Sequence, residues 1–142
     1  MKTIYKKGFT LIELLVAISI IGVLSSFLLV NFIGVRQRSR DGVRKSDLRQ
    51  IQSALELYRA DQGNYPSSLP GCGSSLITGE AIYMQKIPCD PSGGAAYTYS
   101  APGNTSHSII ACLENENDSQ LDIPKTNCPD STTLWKYTLQ NP

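Results

Sequence analysis

The chain contains a single histidine, His107, in 142 residues. It has no glycine-rich phosphate loop, no Ser-His-Asp grouping and no Cys-x2-Cys knuckle. Those absences remove the usual arrangements for acid–base catalysis, nucleotide binding and structural zinc. His107 lies among Thr105, Ser106 and Ser108 and reads as a strand-edge residue, not a base. Charge is also locally missing: from Phe9 to Val35 the only ionisable side chain is Glu13. From Val35 to Gln62 there is no proline and one glycine, Gly42, so nothing there breaks a helix. There is no internal repeat and no long low-complexity linker. The apolar run also lacks a good small-residue cleavage site after it, Ser25-Ser26 being a poor one, which argues against a conventional secretory signal.

What is present begins with Lys6-Lys7-Gly8-Phe9-Thr10-Leu11-Ile12-Glu13-Leu14-Leu15, a basic pair and a glycine leading into an apolar run. A membrane-spanning helix needs about 20 mostly apolar residues, which Phe9 to Val30 supplies. Glu13 is the anomaly in it, because an acid near lipid is costly and marks a functional position with a partner to be named. The plain alternative is a signal-anchor whose Glu13 sits near the headgroups.

These residues resemble the leader of the type IV pilin superfamily, which includes the pseudopilins of type II secretion. The resemblance implies cleavage after Gly8 by a prepilin peptidase and methylation of the new amino terminus at Phe9. It also gives Glu13 an assembly role: facing the charged amine at Phe9 of a neighbouring subunit. In a low-dielectric packed core either charge left unpaired is expensive, so the pair draws each new subunit into register. The expected domains are a leader at 1–8, a transmembrane and polymerisation helix at 9–35, and a pilin-like globular domain at 36–142.

Loss of the leader removes Lys2, Lys6 and Lys7 and moves the formal balance from +1 to ten basic against twelve acidic side chains. No general nucleic-acid binding is expected from that balance. The leader lysines suit a cytoplasmic N-terminus. Arg36, Arg38, Arg40, Arg44, Lys45 and Arg49 beyond the run oppose a simple charge count, and the leader motif is followed instead.

Leu48, Ile51, Leu55 and Tyr58 recur at three- and four-residue spacing, which predicts one long helix from about Thr10 to Asp61, apolar in its first half and amphipathic in its second. Arg and Asp residues are assigned to much of the remaining helix surface. Gly63 and Pro66 end the helix. Residues 66–80 read as a loop and Ala81 to Lys86 as a short helical turn. Strands are predicted at Ala95 to Ser100, Ser106 to Leu113 and Leu134 to Leu139, with a hairpin turn at Ala101-Pro102-Gly103-Asn104. Trp135 and Tyr137 are read as packing on the helix. The fold class is therefore α+β and pilin-like: one long N-terminal helix packed on a small antiparallel sheet. Ile87-Pro88-Cys89-Asp90-Pro91, Gly93-Gly94 and Tyr97-Thr98-Tyr99 are similar to a segment of the major pseudopilins, as is Asn64-Tyr65-Pro66 at the helix end. Gly22 matches a family glycine, whereas Val30 stands where the family often has proline.

Four cysteines in an exported domain read as two disulfides with three connectivities. Cys112–Cys128 is favoured because it is local and closes a polar loop, which leaves Cys72–Cys89. The run Leu113-Glu114-Asn115-Glu116-Asn117-Asp118, with Asp122, is dense in oxygen ligands. The resemblance implies calcium there, held by Leu113, Glu116, Asp118 and Asp122; its spacing is not that of an EF-hand, and the alternative is a solvated acidic loop. No cofactor is otherwise required.

The resulting expectation is a non-enzymatic structural subunit of a type II secretion pseudopilus or a type IV pilus-like filament. The resemblance implies as partners other copies of itself, the prepilin peptidase, an inner-membrane assembly platform, an assembly ATPase and, before assembly, membrane lipid. It places the chain in the inner membrane as a single-pass protein with a periplasmic or extracellular C-terminal domain, and then in the filament. A membrane-tethered binding domain that never polymerises is the alternative.

Overall fold

The computed structural model describes residues 8–129 and 131–141; the side chains of 28–31, Val30 among them, and the leader charges Lys2, Lys6 and Lys7 lie outside the described residues. Helix α1 spans Leu11–Gln62. Among the described residues five strands follow: β1 (Leu76–Thr78), β2 (Ala81–Met84), β3 (Thr98–Ser100), β4 (Ser108–Leu113) and β5 (Trp135–Gln140). The chain divides into two compact units, Met1–Arg36 and Gln37–Pro142.

The described part of the first unit is helical from Leu11 and largely apolar. Phe9, Leu11, Ile12, Leu14, Ile18, Ile21 and Leu24 are all exposed in the single chain. A helix apolar on every side belongs in lipid or in a packed bundle. Two of its hydroxyls are returned to its own backbone: Ser19 Oγ donates to the Leu15 carbonyl at 2.8 Å and Ser26 Oγ to that of Val23 at 2.7 Å. Such back-bonding satisfies those two donors within the helix; an unsatisfied polar group in lipid would be costly. Among the described residues no single helix is long and apolar enough to cross a membrane; Leu11–Phe27 and Phe32–Gln62 meet the requirement of length and composition only as a pair.

The second unit carries its own core. Leu48, Ile51, Ala54 and Leu55 of α1 are buried with Tyr65, Leu76, Ile87, Leu121 and Tyr137. Strand β4 alternates: Ile109, Ala111 and Leu113 are buried in that core, and the residues between them are half-buried. That period-two pattern is what one covered sheet face requires. Strand β4 is central, with antiparallel β3 on one side and β5 on the other; Ile109 pairs with Tyr99 and Leu139. Trp135 packs partly buried against the core and Tyr137 lies within it.

Several boundaries differ from the sequence reading. Ala81–Met84 is a strand, not a helical turn, and it pairs with Leu76–Thr78 inside the stretch expected to be a loop. The cause is the positive φ of Gly79, 59°, which closes the hairpin between two short segments. Ala95–Tyr97 is not strand: the Ala95 carbonyl accepts from the Asp90 amide instead of joining β4. Gly63 ends α1 as expected, at φ 79°, its amide donating to the Arg59 carbonyl.

Candidate functional site

The start of α1 is built by Thr10 and Glu13. The Thr10 amide and hydroxyl both donate to Glu13 Oε2, at 2.8 and 2.7 Å, and the Glu13 amide donates to Thr10 Oγ1 at 3.3 Å. This is a reciprocal capping box, which satisfies helix-end donors that have no partner within the helix. The carboxylate also faces the positive end of the helix dipole. Beside it Phe9, Ile12, Val16, Ala17 and Ile20 form one apolar face. Phe9 and Glu13 thus share a helix face, and the carboxylate has a local partner that sequence reading missed. The signal was present: Thr-x-x-Glu at 10–13 is the capping-box spacing.

A second polar centre lies in the other unit. Asp41, Arg44 and Asp47 are buried, contrary to the reading that put Arg and Asp residues on the helix surface. Asp41 and Arg44 extend the stripe of Leu48, Ile51 and Leu55 by three- and four-residue steps, so the first two positions of the buried face are charged. The Arg44 guanidinium donates to Asp41 Oδ1 at 2.7 Å, Asp90 Oδ2 at 2.7 Å, Glu114 Oε1 at 2.9 Å and Ser92 Oγ at 2.8 Å. Arg40 forks onto both oxygens of Glu114. Asp41 in turn accepts the amides of Glu114 and Asn115, both at 2.9 Å. The helix, the Asp90 turn and the end of β4 are therefore tied at one point.

The electrostatics follow. Burial acts to raise the Asp90 pKa, but Arg44 and the Ser92 hydroxyl and amide hold it down at about 2. The bond from Arg40 lowers that of Glu114 against a smaller effect of burial. Burial opposes the charge on Arg44, yet its bonds to Asp90, Glu114 and Asp41 raise its pKa overall. Nearby, the Tyr97 hydroxyl donates to the buried Asp47 at 2.7 Å and that of Tyr99 to the Pro66 carbonyl at 2.7 Å. The paired tyrosines fasten the approach to β4 onto the helix and onto the turn that follows it.

Cysteine pairing is Cys72–Cys89 and Cys112–Cys128, as expected. The residues assigned to calcium do not converge. Asp118 accepts from Lys45 Nζ at 2.7 Å and from the Gln120 amide at 2.9 Å. Asp122 accepts from the Thr138 amide at 2.9 Å and hydroxyl at 2.6 Å. The Glu116 carbonyl accepts from Lys125 Nζ at 2.6 Å, and Leu113 lies in β4 opposite Trp135. Among the described residues no group of three His, Cys, Asp or Glu side chains is placed to hold a metal ion. As arranged, this loop does not fit a calcium ion.

Comparison with known proteins gives two family matches, side by side along the chain. The prokaryotic N-terminal methylation motif matches residues 4–29, and the family described as type II secretion system protein G matches residues 31–120. Proteins named type II secretion system core protein G are similar over most of their length. The one from Klebsiella michiganensis is 32% identical, covering 86% of this chain and 89% of its own. That of Escherichia coli K12 is 31% identical, covering 92% and 91%. That of Pseudomonas aeruginosa is 32% identical, covering 83% and 93%. No solved structure matches the chain.

Proposed function

The chain belongs to the type II secretion system protein G family, and from that premise we propose how its residues divide the work of assembly. It is a structural pseudopilus subunit and not an enzyme, and its family assembles as a homomeric filament. In our reading a prepilin peptidase hydrolyses the Gly8–Phe9 bond, and the amine freed at Phe9 is methylated and keeps its positive charge. The C-terminal domain stands on the periplasmic side of the inner membrane until the subunit is drawn into the fibre. The assembly platform and the cytoplasmic ATPase are the partners this route requires.

Glu13 is the observation that carries the reading. It is the sole ionisable group in an otherwise apolar stretch, and both Thr10 donors fall on its Oε2. Among the described residues Oε1 is left to accept from outside, and a neighbour's Phe9 amine has the complementary charge. In an apolar surround that attraction exceeds anything available in water. A tethered domain that never polymerises has no use for it. The test is mass spectrometry of the mature protein, joined to sedimentation of fibres. An N-terminal peptide beginning with methylated Phe9 is expected, and a Glu13→Ala chain that is processed and folded yet fails to sediment. A mature terminus elsewhere, or normal fibres from Glu13→Ala, overturns the proposal.

A further inference from the structure

His107 is 2% exposed, and neither ring nitrogen has a hydrogen-bond partner among the described residues. Buried polar groups are nearly always paired, so an imidazole with both nitrogens orphaned needs an explanation. Its backbone is firmly held. The His107 amide donates to Asn141 Oδ1 at 3.0 Å, and the Asn141 amide donates to the His107 carbonyl at 3.4 Å. Its ring packs edge-on against Tyr65, with centroids 4.5 Å apart. Tyr65 is itself fixed: its amide donates to the Asn104 carbonyl, and its hydroxyl donates to Glu56 and accepts from Arg59. His107 therefore sits at the junction of three pieces of chain, its ring against Tyr65 after α1, its own segment before β4, and its backbone bonded to Asn141 after β5.

We propose that His107 is an acid-release latch: neutral, it locks these three segments together, and on taking a proton from solvent it leaves the core and frees the start of β4 and the end of β5. The charged groups facing it are Glu56 and Arg59, both from α1, whose influences on an imidazolium are opposite in sign. Tyr65 contributes a phenol, and the segment after β5 contributes the neutral Asn141. None of them accepts a proton from either ring nitrogen. An imidazolium would be buried with two donors and no acceptor, a cost the ring avoids by moving out. Desolvation accordingly pushes the His107 pKa below its ordinary value, with Glu56 opposing and Arg59 adding to that effect.

The sign follows from linkage. The opened state binds a proton with a pKa of about 6.5, and the closed state binds it only at lower pH. Closure is therefore fully favoured above about pH 6.5 and weakens as pH falls from there toward the depressed value. The window opens at about pH 6.5, above the ordinary carboxylate range, so its onset is separable from theirs. His107 is also the only histidine, which makes its ring signals unambiguous in the full chain in detergent micelles.

The experiment is NMR of that chain between pH 7.5 and 4.5, following the ring and the amide-exchange protection of His107 and Asn141. Expected are a ring midpoint below 6.5 and protection factors falling up to about tenfold per pH unit below 6.5. His107→Phe, which fills the site without titrating, is expected to keep its protection at pH 5. A free-imidazole midpoint with unchanged protection overturns the latch, as does protection in the wild type that stays constant down to pH 4.5. So does a folded His107→Phe chain that loses protection as the wild type does. If that variant does not fold, the wild-type titration alone still decides. The outcome is independent of filament assembly.

Discussion

Arg44 shows why a charged residue can sit in a core. It is 1% exposed and is surrounded by Asp41, Asp90 and Glu114. Removing Arg44 leaves the buried Asp41 without its cation, while Glu114 keeps Arg40 and the half-buried Asp90 keeps Ser92; breaking a buried pair in this way costs about 3–5 kcal/mol. Arg44→Met is therefore expected to lose that much stability in denaturant titration, although Met is apolar and long enough to fill the space. An exposed guanidinium such as Arg38 predicts a change under about 0.5 kcal/mol on the same substitution. The cluster also sets an acid limit. The folded Asp90 pKa, about 2, lies below an unfolded value of about 3.8. Its contribution is thus present above about pH 3.8 and is lost as pH falls through 2. The stability difference between wild type and Asp90→Asn should shrink across that window and be constant from pH 5 to 7.

At the scale of elements, the helix was legible because its period was long and unbroken: Leu48, Ile51, Leu55 and Tyr58 spell the buried stripe, and Gly63 marks the stop. The strands were legible where alternation ran for six residues, as in β4, and illegible where it ran for three. Leu76–Thr78 and Ala81–Met84 are too short to show a period, and the turn at Gly79 defines them. The candidate site divides the same way. Glu13 stood out because it is alone in an apolar run. Arg44 was hidden, because its partners Asp90 and Glu114 lie 46 and 70 residues away and only folding brings them near. The registers now give unequal expectations for two isoleucines. Ile109 is fully buried on the inner face of β4, so Ile109→Ala should cost about 2–5 kcal/mol. Ile77, 53% exposed on β1, should cost about 0.5 kcal/mol or less on the same change. Equal losses would show that the sheet face is misassigned.

For the molecule as a whole, the two units depend on different chemistry. The second unit holds its acidic loop without help: Cys112–Cys128 closes it, Lys45 and Thr138 occupy Asp118 and Asp122, and Arg40 and Arg44 occupy Glu114. Calcium, magnesium or chelator is therefore expected to leave the melting temperature of the full chain unchanged. A rise specific to calcium would mean that the ion displaces Lys45, since a ligand stabilises only in proportion to its binding of the folded state. The described part of the first unit, by contrast, presents a largely apolar surface with one carboxylate, a surface suited to neighbours or lipid. Glu13 there combines two roles, capping its own helix and carrying charge, and Glu13→Gln separates them. A glutamine side-chain oxygen still accepts from the Thr10 amide, and glutamine serves in capping boxes as glutamate does, so the helix start is kept. The charge is gone, and with it the attraction for a neighbour's amine. If charge pairing drives assembly, Glu13→Gln should be exported, processed and folded from 37 to 141, yet sediment no more fibre than Glu13→Ala. If capping is the whole of Glu13's role, Glu13→Gln should give fibres of normal length, and Thr10→Val, which loses the hydroxyl bond but keeps the amide, should impair assembly more than Glu13→Gln does.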